Sequence, residues 1–282
     1  MLSRAGLFLC LAIWLGACAS PEPSSPLDAG AETSAAEVAP SGVAPPLPTS
    51  EPPSVQASAL PNALSTVTAV ASAQPAASAP QKKFRYVVGA IGDSLTDEKS
   101  HGGQYLEVLR ERCPKSTFLG FGKGGNMVNM MRKRFLRDVY ADGTPEARKL
   151  THVIILGGLG DILSNETAFR TAKKIGADIT TMVGWAHERG AKAYVLKLPP
   201  WGKMKAFNAE RGAMTREVNA WIDSEVAEKR IDATFDTRAV LACGNVDVLC
   251  DENAWKDGIH WSEKGQRAIG DALHKALFSD CE

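Results

Sequence analysis

The sequence predicts an α/β fold in which a central, mainly parallel five-stranded sheet lies between two layers of helices. Five short apolar runs of strand length follow one another along residues 84–282, and an amphipathic helical pattern lies after each of them. Strands that alternate with helices of this length form parallel sheets that are covered on both faces. The expected architecture is therefore a three-layer α/β/α sandwich.

The elements are assigned in chain order from this alternation. The strand-like runs are residues 86–91, 117–121, 152–156, 193–198 and 233–235. The helical patterns are residues 104–112, 127–140, 167–189, 211–229 and 263–278. In parallel sheets of this kind, ligands bind beyond the carboxyl ends of the strands. The residues that directly follow each run are therefore the first candidates for a functional site.

The first 18 residues have the layout of an export signal. Arg4 precedes an apolar run at residues 7–15, which is shorter than the roughly 20 residues of a transmembrane helix. The sequence Leu15-Gly16-Ala17-Cys18 resembles a bacterial lipoprotein box, in which the signal is cut before a cysteine that is then lipidated. The box predicts a membrane anchor at Cys18, and Ala19 resembles the pattern for sorting to the outer membrane. An ordinary secretory signal with an incidental cysteine is the alternative.

Residues 19–82 have the composition of a disordered linker. Twelve of the sixteen prolines lie between Pro21 and Pro80, and no aromatic residue occurs between Trp14 and Phe84. Such a stretch has too little apolar surface to fold on its own. We therefore divide the chain into a signal at 1–18, a linker at 19–82 and a folded domain at 83–282.

Charge is distributed unevenly along the chain although the formal total is zero. Residues 1–81 hold one basic and five acidic residues, so the remainder of the chain carries a net charge of +4. This balance permits anionic substrates. There is no Lys/Arg-rich tract with interleaved aromatic residues, so no nucleic-acid partner is expected.

Four cysteines remain after Cys10 in the signal and Cys18 at the anchor are set aside. An even number of cysteines in an exported chain favours disulfides, and four cysteines allow three pairings. Cys243 and Cys250 form the expected local pair, which leaves Cys113 for Cys281. The spacings are not those of a zinc site, and we expect no metal or other cofactor.

The first strand ends in Gly92-Asp93-Ser94-Leu95. A serine on a tight turn between a strand and a helix exposes its hydroxyl beside backbone N–H groups, as a nucleophile requires. The alternative is a serine that only caps the N-terminus of a helix.

Near the other end stands Asp257-Gly258-Ile259-His260, directly ahead of the last helical pattern. An aspartate three residues before a histidine can accept from one imidazole nitrogen and leave the other free to act as a base. The remaining histidines lack such a partner, and we interpret them as structural. They are His101, His152, His187 and His274.

Together these two motifs, with glycine-rich turns after the second and third strands, resemble the SGNH (GDSL) hydrolase superfamily. The resemblance covers about residues 84–279 and implies a flavodoxin-like SGNH fold. It also implies that Ser94 is the nucleophile, His260 the general base and Asp257 the residue that orients His260.

The family also supplies an oxyanion hole, formed by the N–H of the nucleophile, a glycine N–H and an asparagine side chain. Gly125 falls at the glycine position, with Gly124 as a second choice, whereas Gly160 occupies the asparagine position and has no side chain to donate. Either another amide compensates, or the hole depends on the N–H groups of Ser94 and Gly125 alone, which we favour. The candidate amides are Asn126, Asn129 and Asn165.

Three functions are compatible with these residues. The favoured one is an exported esterase or deacylase that hydrolyses a carboxylic ester through an acyl-enzyme on Ser94. Acyl transfer to a saccharide hydroxyl is the second, and a non-catalytic envelope-binding module is the third. The sequence lacks H-E-x-x-H, G-x-x-x-x-G-K-[ST] and G-x-S-x-G, so zincin, P-loop and common α/β-hydrolase functions have no support.

The substrate is expected to be a small-molecule, saccharide or lipid ester. Two residues are candidates for contacting it. Asp161 matches the family pattern after Gly160, and Trp201 follows Pro199-Pro200 after the fourth strand. Trp201 is equally compatible with a role as a loop anchor. The proposed anchor favours esters of the cell envelope, on the outer-membrane or periplasmic side.

Overall fold

The computed structural model describes residues 83–282, and the predicted signal, anchor and linker at residues 1–82 lie outside this range. Five strands form an all-parallel sheet in the order β2-β1-β3-β4-β5. They are β1 (Val87–Gly92), β2 (Thr117–Gly122), β3 (His152–Leu156), β4 (Lys192–Leu196) and β5 (Ala233–Phe235). The predicted parallel sheet and its strands are confirmed, with bounds shifted by at most two residues. The order is that of flavodoxin-like sheets.

Eight helices surround the sheet in the described range. They are α1 (Gln104–Arg112), α2 (Val128–Val139), α3 (Leu159–Leu163), α4 (Asn165–Ala168), α5 (Ala172–Glu188), α6 (Ala209–Ala227), α7 (Arg238–Leu241) and α8 (Glu263–Leu277). Helix α1 packs on α8, whereas α2 packs on α5 and α5 on α6. All five residues of β3 are buried, as expected for a central strand that is covered on both faces. None of these helices is both long and apolar enough to cross a membrane.

One predicted helix is two helices in the structure. The pattern at 167–189 breaks after α4, where Phe169 has a left-handed backbone (φ +50°) and Arg170 turns into the interior. Helix α5 begins after Thr171, whose hydroxyl accepts from the N–H of Lys174 and so caps the helix. Sequence analysis also missed α3 and α7, which are too short for a clear helical periodicity. It missed in addition a small antiparallel sheet of β6 (Ala242–Cys243) and β7 (Asn245–Leu249).

Both predicted disulfides are present. Cys243 and Cys250 close the small hairpin of β6 and β7, and their Cα atoms lie 5.1 Å apart. Cys113, at the end of α1, joins Cys281 near the end of the chain, with Cα atoms 5.4 Å apart. The bond between Cys243 and Cys250 lies shortly before the segment that carries Asp257 and His260. The bond between Cys113 and Cys281 joins the residue after α1 to the segment after α8.

Candidate active site

Ser94 lies on a tight turn directly after β1. The N–H of Thr96 donates to the carbonyl of Asp93 (3.1 Å), and the N–H of Leu95 donates to the Asp93 carboxylate (3.0 Å). Asp93 is buried beneath the turn, and this burial raises the pKa of its carboxyl to about 6. The turn therefore holds the Ser94 hydroxyl at the carboxyl edge of the sheet.

Asp257 and His260 lie on the loop that precedes α8. The Asp257 carboxylate accepts from the backbone N–H groups of Ile259 and His260, both at 3.0 Å, and from His260 Nδ1 at 2.7 Å. Burial opposes ionisation of Asp257, but these hydrogen bonds outweigh it and lower the pKa of the carboxyl. Asp257 is therefore ionised at neutral pH and fixes the orientation of the imidazole.

The structure brings the three residues together although 166 positions separate Ser94 from His260. His260 Nε2 lies 2.7 Å from Ser94 Oγ, while His260 Nδ1 faces Asp257. With its proton on Nδ1, the neutral imidazole donates to Asp257 and accepts from the serine hydroxyl. This is the arrangement in which a histidine can remove the proton of a serine nucleophile.

Two glycine turns lie beside Ser94. Gly125 has φ +72°, which favours glycine, and its N–H and that of Ser94 donate to no protein acceptor in the described part of the chain. Gly160 lines the same cavity as both residues. A Cβ atom at Gly160 would lie 2.8 Å from the carbonyl oxygen of Asn126. The glycine therefore permits a close approach of two backbone segments, which leaves no room for the asparagine found in the family pattern.

None of the three candidate amides lines either cavity beside Ser94. Asn126 accepts from Arg134 through Oδ1 (2.8 Å), and Asn165 contacts Glu210 and Arg211. Asn129 lies on α2, and its buried Oδ1 has no hydrogen-bond partner among residues 83–282. Backbone N–H groups are accordingly the donors available to an oxyanion here.

Arg134, a buried arginine on α2, stabilises the glycine turn at residues 123–126. Its guanidinium donates to the carbonyl of Gly92 at the end of β1 (3.1 Å), to the carbonyl of Phe121 in β2 (2.8 Å) and to Asn126 (2.8 Å). Burial lowers the pKa of this guanidinium below its ordinary value, but an arginine remains charged. Arg134 thus connects the serine turn, the neighbouring strand and the residue after Gly125.

Asp161 lies in the interior, whereas the sequence suggested a residue that faces a substrate. Its side chain has no exposed surface. One carboxylate oxygen accepts from Arg170 Nε (2.5 Å) and the other from the N–H of Val128 (2.7 Å), which is the first residue of α2. Asp161 therefore ties α3 to the start of α2, and its paired charges explain why it tolerates burial.

Of the two alternatives for Trp201, a substrate contact or a loop anchor, the structure agrees with the loop anchor. The side chain is 1% exposed. Its indole N–H donates to Thr215 (3.1 Å), and its ring packs edge-to-face on Phe207. Through these contacts Trp201 anchors the loop after β4 to helix α6. An aromatic residue in a loop after two prolines is buried here because a helix lies beside the loop.

Two cavities adjoin Ser94 and His260. The first, of about 250 Å³, contains Gly125 and Gly160 and has an apolar wall formed by Leu159, Leu163, Met204 and Ile259. The second, of about 350 Å³, has a mixed wall formed by Ser100, His101, Trp255, Trp261 and Gln266. We call them the apolar cavity and the mixed cavity.

Sequence analysis missed several residues of this region. His101 was interpreted as structural but lines the mixed cavity, and Trp255 was not singled out. The positive φ of His101 (63°) is not visible in the sequence. For Trp255 a signal existed, because it stands two residues before Asp257 in the motif that carries His260.

Comparison with known structures finds similar folds at low sequence identity. A protein from Desulfitobacterium hafniense, described as lipolytic and of the G-D-S-L family, is 22% identical, with a TM-score of 0.57, 68% of this chain covered and 100% of that one. A GDSL-like lipase from Bacteroides thetaiotaomicron is 19% identical, with a TM-score of 0.53, and the match covers 68% of this chain and 89% of that one. An acetylxylan esterase from Geobacillus stearothermophilus is 16% identical, with a TM-score of 0.55, and the match covers 71% of this chain and 99% of that one. At these identities the likeness shows the fold.

A search of curated proteins finds no match. A search of protein families, in contrast, matches residues 90–268, more than half of the chain, to the GDSL-like lipase/acylhydrolase family. The matched range includes the serine turn, both glycine turns and the segment with Asp257 and His260. The chain therefore belongs to the GDSL-like lipase/acylhydrolase family and is an ester-hydrolysing enzyme.

Proposed function

We propose that this protein is an exported, lipid-anchored serine esterase that removes a short acyl group from an envelope saccharide or lipid. The observation that carries the proposal is the continuous contact from Asp257 through His260 to Ser94, with both distances at 2.7 Å. Beside it lie two backbone N–H groups that donate to no acceptor within residues 83–282. This set contains each group that acyl transfer to a serine requires.

The reaction has two steps. His260 Nε2 removes the proton of Ser94 as Oγ bonds to the ester carbonyl carbon, and the N–H groups of Ser94 and Gly125 stabilise the oxyanion. The C–O bond to the alcohol then breaks, and the alcohol leaves with the proton from His260. In the second step water attacks the acyl carbon and gives a proton to His260. The bond from Ser94 Oγ to the acyl carbon then breaks, Ser94 takes the proton back from His260, and the carboxylic acid is released.

The apolar cavity supports a short acyl group. It is small, at about 250 Å³, and its wall carries four apolar side chains next to the glycine turns. The acetylxylan esterase among the similar structures is 16% identical, and the activity in its name is consistent with an acetyl group on a saccharide.

The proposed catalytic role of Ser94 is tested by replacing it. Ser94→Ala should lower kcat for p-nitrophenyl acetate and butyrate by about 10⁴- to 10⁶-fold, because the nucleophile is lost. Thermal unfolding should change little, since Ser94 does not fill the core. Ser224→Ala, at an exposed serine on α6, is the matched control and should keep full activity. Wild-type activity in Ser94→Ala would refute the mechanism.

Anchoring to the membrane is proposed from the lipoprotein box at Cys18. The wild-type protein should fractionate with membranes, and Cys18→Ala should release it to the soluble exported fraction. A linker of about sixty residues has a root-mean-square reach on the order of 40 to 50 Å as a flexible coil, so the enzyme would reach esters away from its membrane. Wild-type protein found entirely in the soluble fraction would refute the anchor.

A further inference from the structure

The mixed cavity has an aromatic rim that the reaction mechanism does not use. Trp255 is 49% exposed, which is unusual for so large an apolar side chain, and it lines this cavity together with Ser94 and His260. The imidazole of His101 lies against it, with ring centroids 5.7 Å apart and planes inclined by 31°. A broad aromatic surface is therefore open to a ligand within the same cleft as the reactive serine.

The position of Trp255 is fixed relative to the catalytic histidine. The backbone N–H of Trp255 donates to the carbonyl of His260 (2.8 Å), and the backbone carbonyl of Trp255 accepts from the N–H of Gly258 (3.1 Å). His101 is held in a left-handed backbone conformation, which costs free energy in a residue other than glycine. The backbone that carries Trp255 is thus placed relative to His260, and both rings line the cavity that contains Ser94 and His260.

The rest of the cavity wall offers one exposed hydroxyl group, that of Ser100. Gln266 also lines the cavity, but its side chain is buried and its amide is hydrogen-bonded to the backbone of Tyr105 and Leu95. Trp261 lines the cavity as well. The indole N–H of Trp261 is buried and has no hydrogen-bond partner in the described part of the chain. A pyranose ring matches this combination, because one face presents C–H groups to an aromatic surface while its edge presents hydroxyl groups.

We infer that His101 and Trp255 form a saccharide-binding subsite for the alcohol half of the ester. The inference rests on the proposed esterase function and adds a substrate class to it. The apolar cavity takes the acyl group on the side of Gly125 and Gly160, so the mixed cavity remains for the alcohol. There the alcohol oxygen is within reach of the proton on His260, and the sugar ring stacks on Trp255.

The test compares two monoacetates of primary alcohols that differ in the rest of the alcohol. Methyl 6-O-acetyl-β-glucoside carries a pyranose ring with three free hydroxyl groups, and ethyl acetate carries no ring. Trp255→Ala should lower the ratio of kcat/KM for the saccharide acetate to that for ethyl acetate by about 10- to 100-fold, as expected for loss of a stacking partner. Trp255→Phe should retain most of the ratio, and His101→Ala should lower it by a smaller factor.

The matched control is Phe169→Ala. Phe169 is the most exposed large apolar residue in the described chain, at 74%, and it lines neither cavity beside Ser94. This variant should keep both rates, and melting temperatures of all variants identify any that fail to fold.

Three results would overturn the subsite. Equal losses on both acetates would mean that Trp255 only positions His260. An unchanged ratio in Trp255→Ala would mean that nothing stacks there, and a selective loss on dodecyl acetate would indicate an alkyl alcohol. Failure of the proposed function is distinguishable from all three, because the wild-type enzyme would then hydrolyse no acetate and would not react with a fluorophosphonate.

Discussion

The two sides of the cleft present different kinds of groups to a substrate. On the histidine side, residues 253–262 present side chains, and Asp257 and His260 are each more than a third exposed. On the oxyanion side, residues 123–126 and 157–161 present backbone N–H groups, and the side chains that hold them are buried charges. A side chain is set in place by contacts around itself, whereas a backbone group is set in place by whatever holds its whole turn. Substitutions remote from substrate should therefore damage the oxyanion side more than the histidine side.

The largest effect is expected on the histidine side, from a direct loss of catalytic chemistry. Asp257→Asn should lower kcat by about 10²- to 10⁴-fold, because the amide favours the imidazole tautomer that cannot accept the serine proton. Stability should change little, since the side chain is 46% exposed. Esterase kinetics and thermal unfolding measure the two quantities. Asp251→Asn, at a 91% exposed aspartate, is the control, and full activity in Asp257→Asn would show that His260 needs no orienting carboxylate.

On the oxyanion side, the largest expected effect comes from Arg134, which touches no substrate. Arg134→Met removes the donors to Gly92, Phe121 and Asn126. We expect kcat to fall by about 10- to 100-fold with little change in KM, and stability to fall by about 2 to 4 kcal/mol.

The control for this substitution lies on the same helix. Arg137→Met removes an arginine whose side chain is 75% exposed, and it should leave kcat and stability nearly unchanged. A variant Arg134→Met that loses stability but keeps kcat would contradict the contrast between the two sides.

Gly160→Asn tests whether the missing oxyanion donor can be restored. The structure predicts that it cannot, because the added Cβ would lie 2.8 Å from the carbonyl oxygen of Asn126. Both Gly160→Ala and Gly160→Asn should lose about 1 to 3 kcal/mol of stability, and neither should gain activity. A stable Gly160→Asn with raised kcat would show that the two turns separate easily, and would overturn this account of the oxyanion side.

The smallest effect on rate is expected from the disulfide on the histidine side. The double substitution Cys243→Ser with Cys250→Ser should cost about 2 kcal/mol of stability, because the closed loop is short. The change in kcat should stay within about threefold, since Asp257 and His260 are positioned by their own hydrogen bonds. Replacing Cys113 and Cys281, which lie 168 positions apart, should cost more, about 5 kcal/mol in the chain-entropy account. A large loss of kcat in the first variant would show that the hairpin does position His260.

The difference between the two sides of the cleft also explains which features could be predicted from the sequence. The residue types and spacing of Ser94, Asp257 and His260 allow their chemistry to be inferred from the chain alone, and the structure places them in contact. The contribution of Arg134 could not be inferred, because it depends on three groups that only the folded sheet brings to one point. For Asp161 the match to a motif gave the wrong role, since an aspartate that pairs with a buried arginine looks the same in sequence as one that faces a ligand.

The aromatic residues make a similar point. Trp201 and Trp255 both follow short loops near the carboxyl edge of the sheet, and the sequence does not distinguish their environments. Packing against Phe207 and Thr215 buries Trp201, whereas Trp255 remains half-exposed beside His101. The inner strands β1, β3 and β4 were predictable to within two residues because burial on both faces imposes apolar runs. The short helices α3 and α7 carry too few residues for a helical period.

The most direct test of the central claim is a crystal structure of the enzyme after reaction with a small alkyl fluorophosphonate. The account predicts a single adduct on Ser94 Oγ, with its phosphonyl oxygen about 2.7 to 3.1 Å from the N–H groups of Ser94 and Gly125. No side-chain amide should contact that oxygen. An adduct on another residue, or an oxygen held by the amide of Asn126, Asn129 or Asn165, would contradict a serine esterase whose oxyanion hole is built from backbone groups.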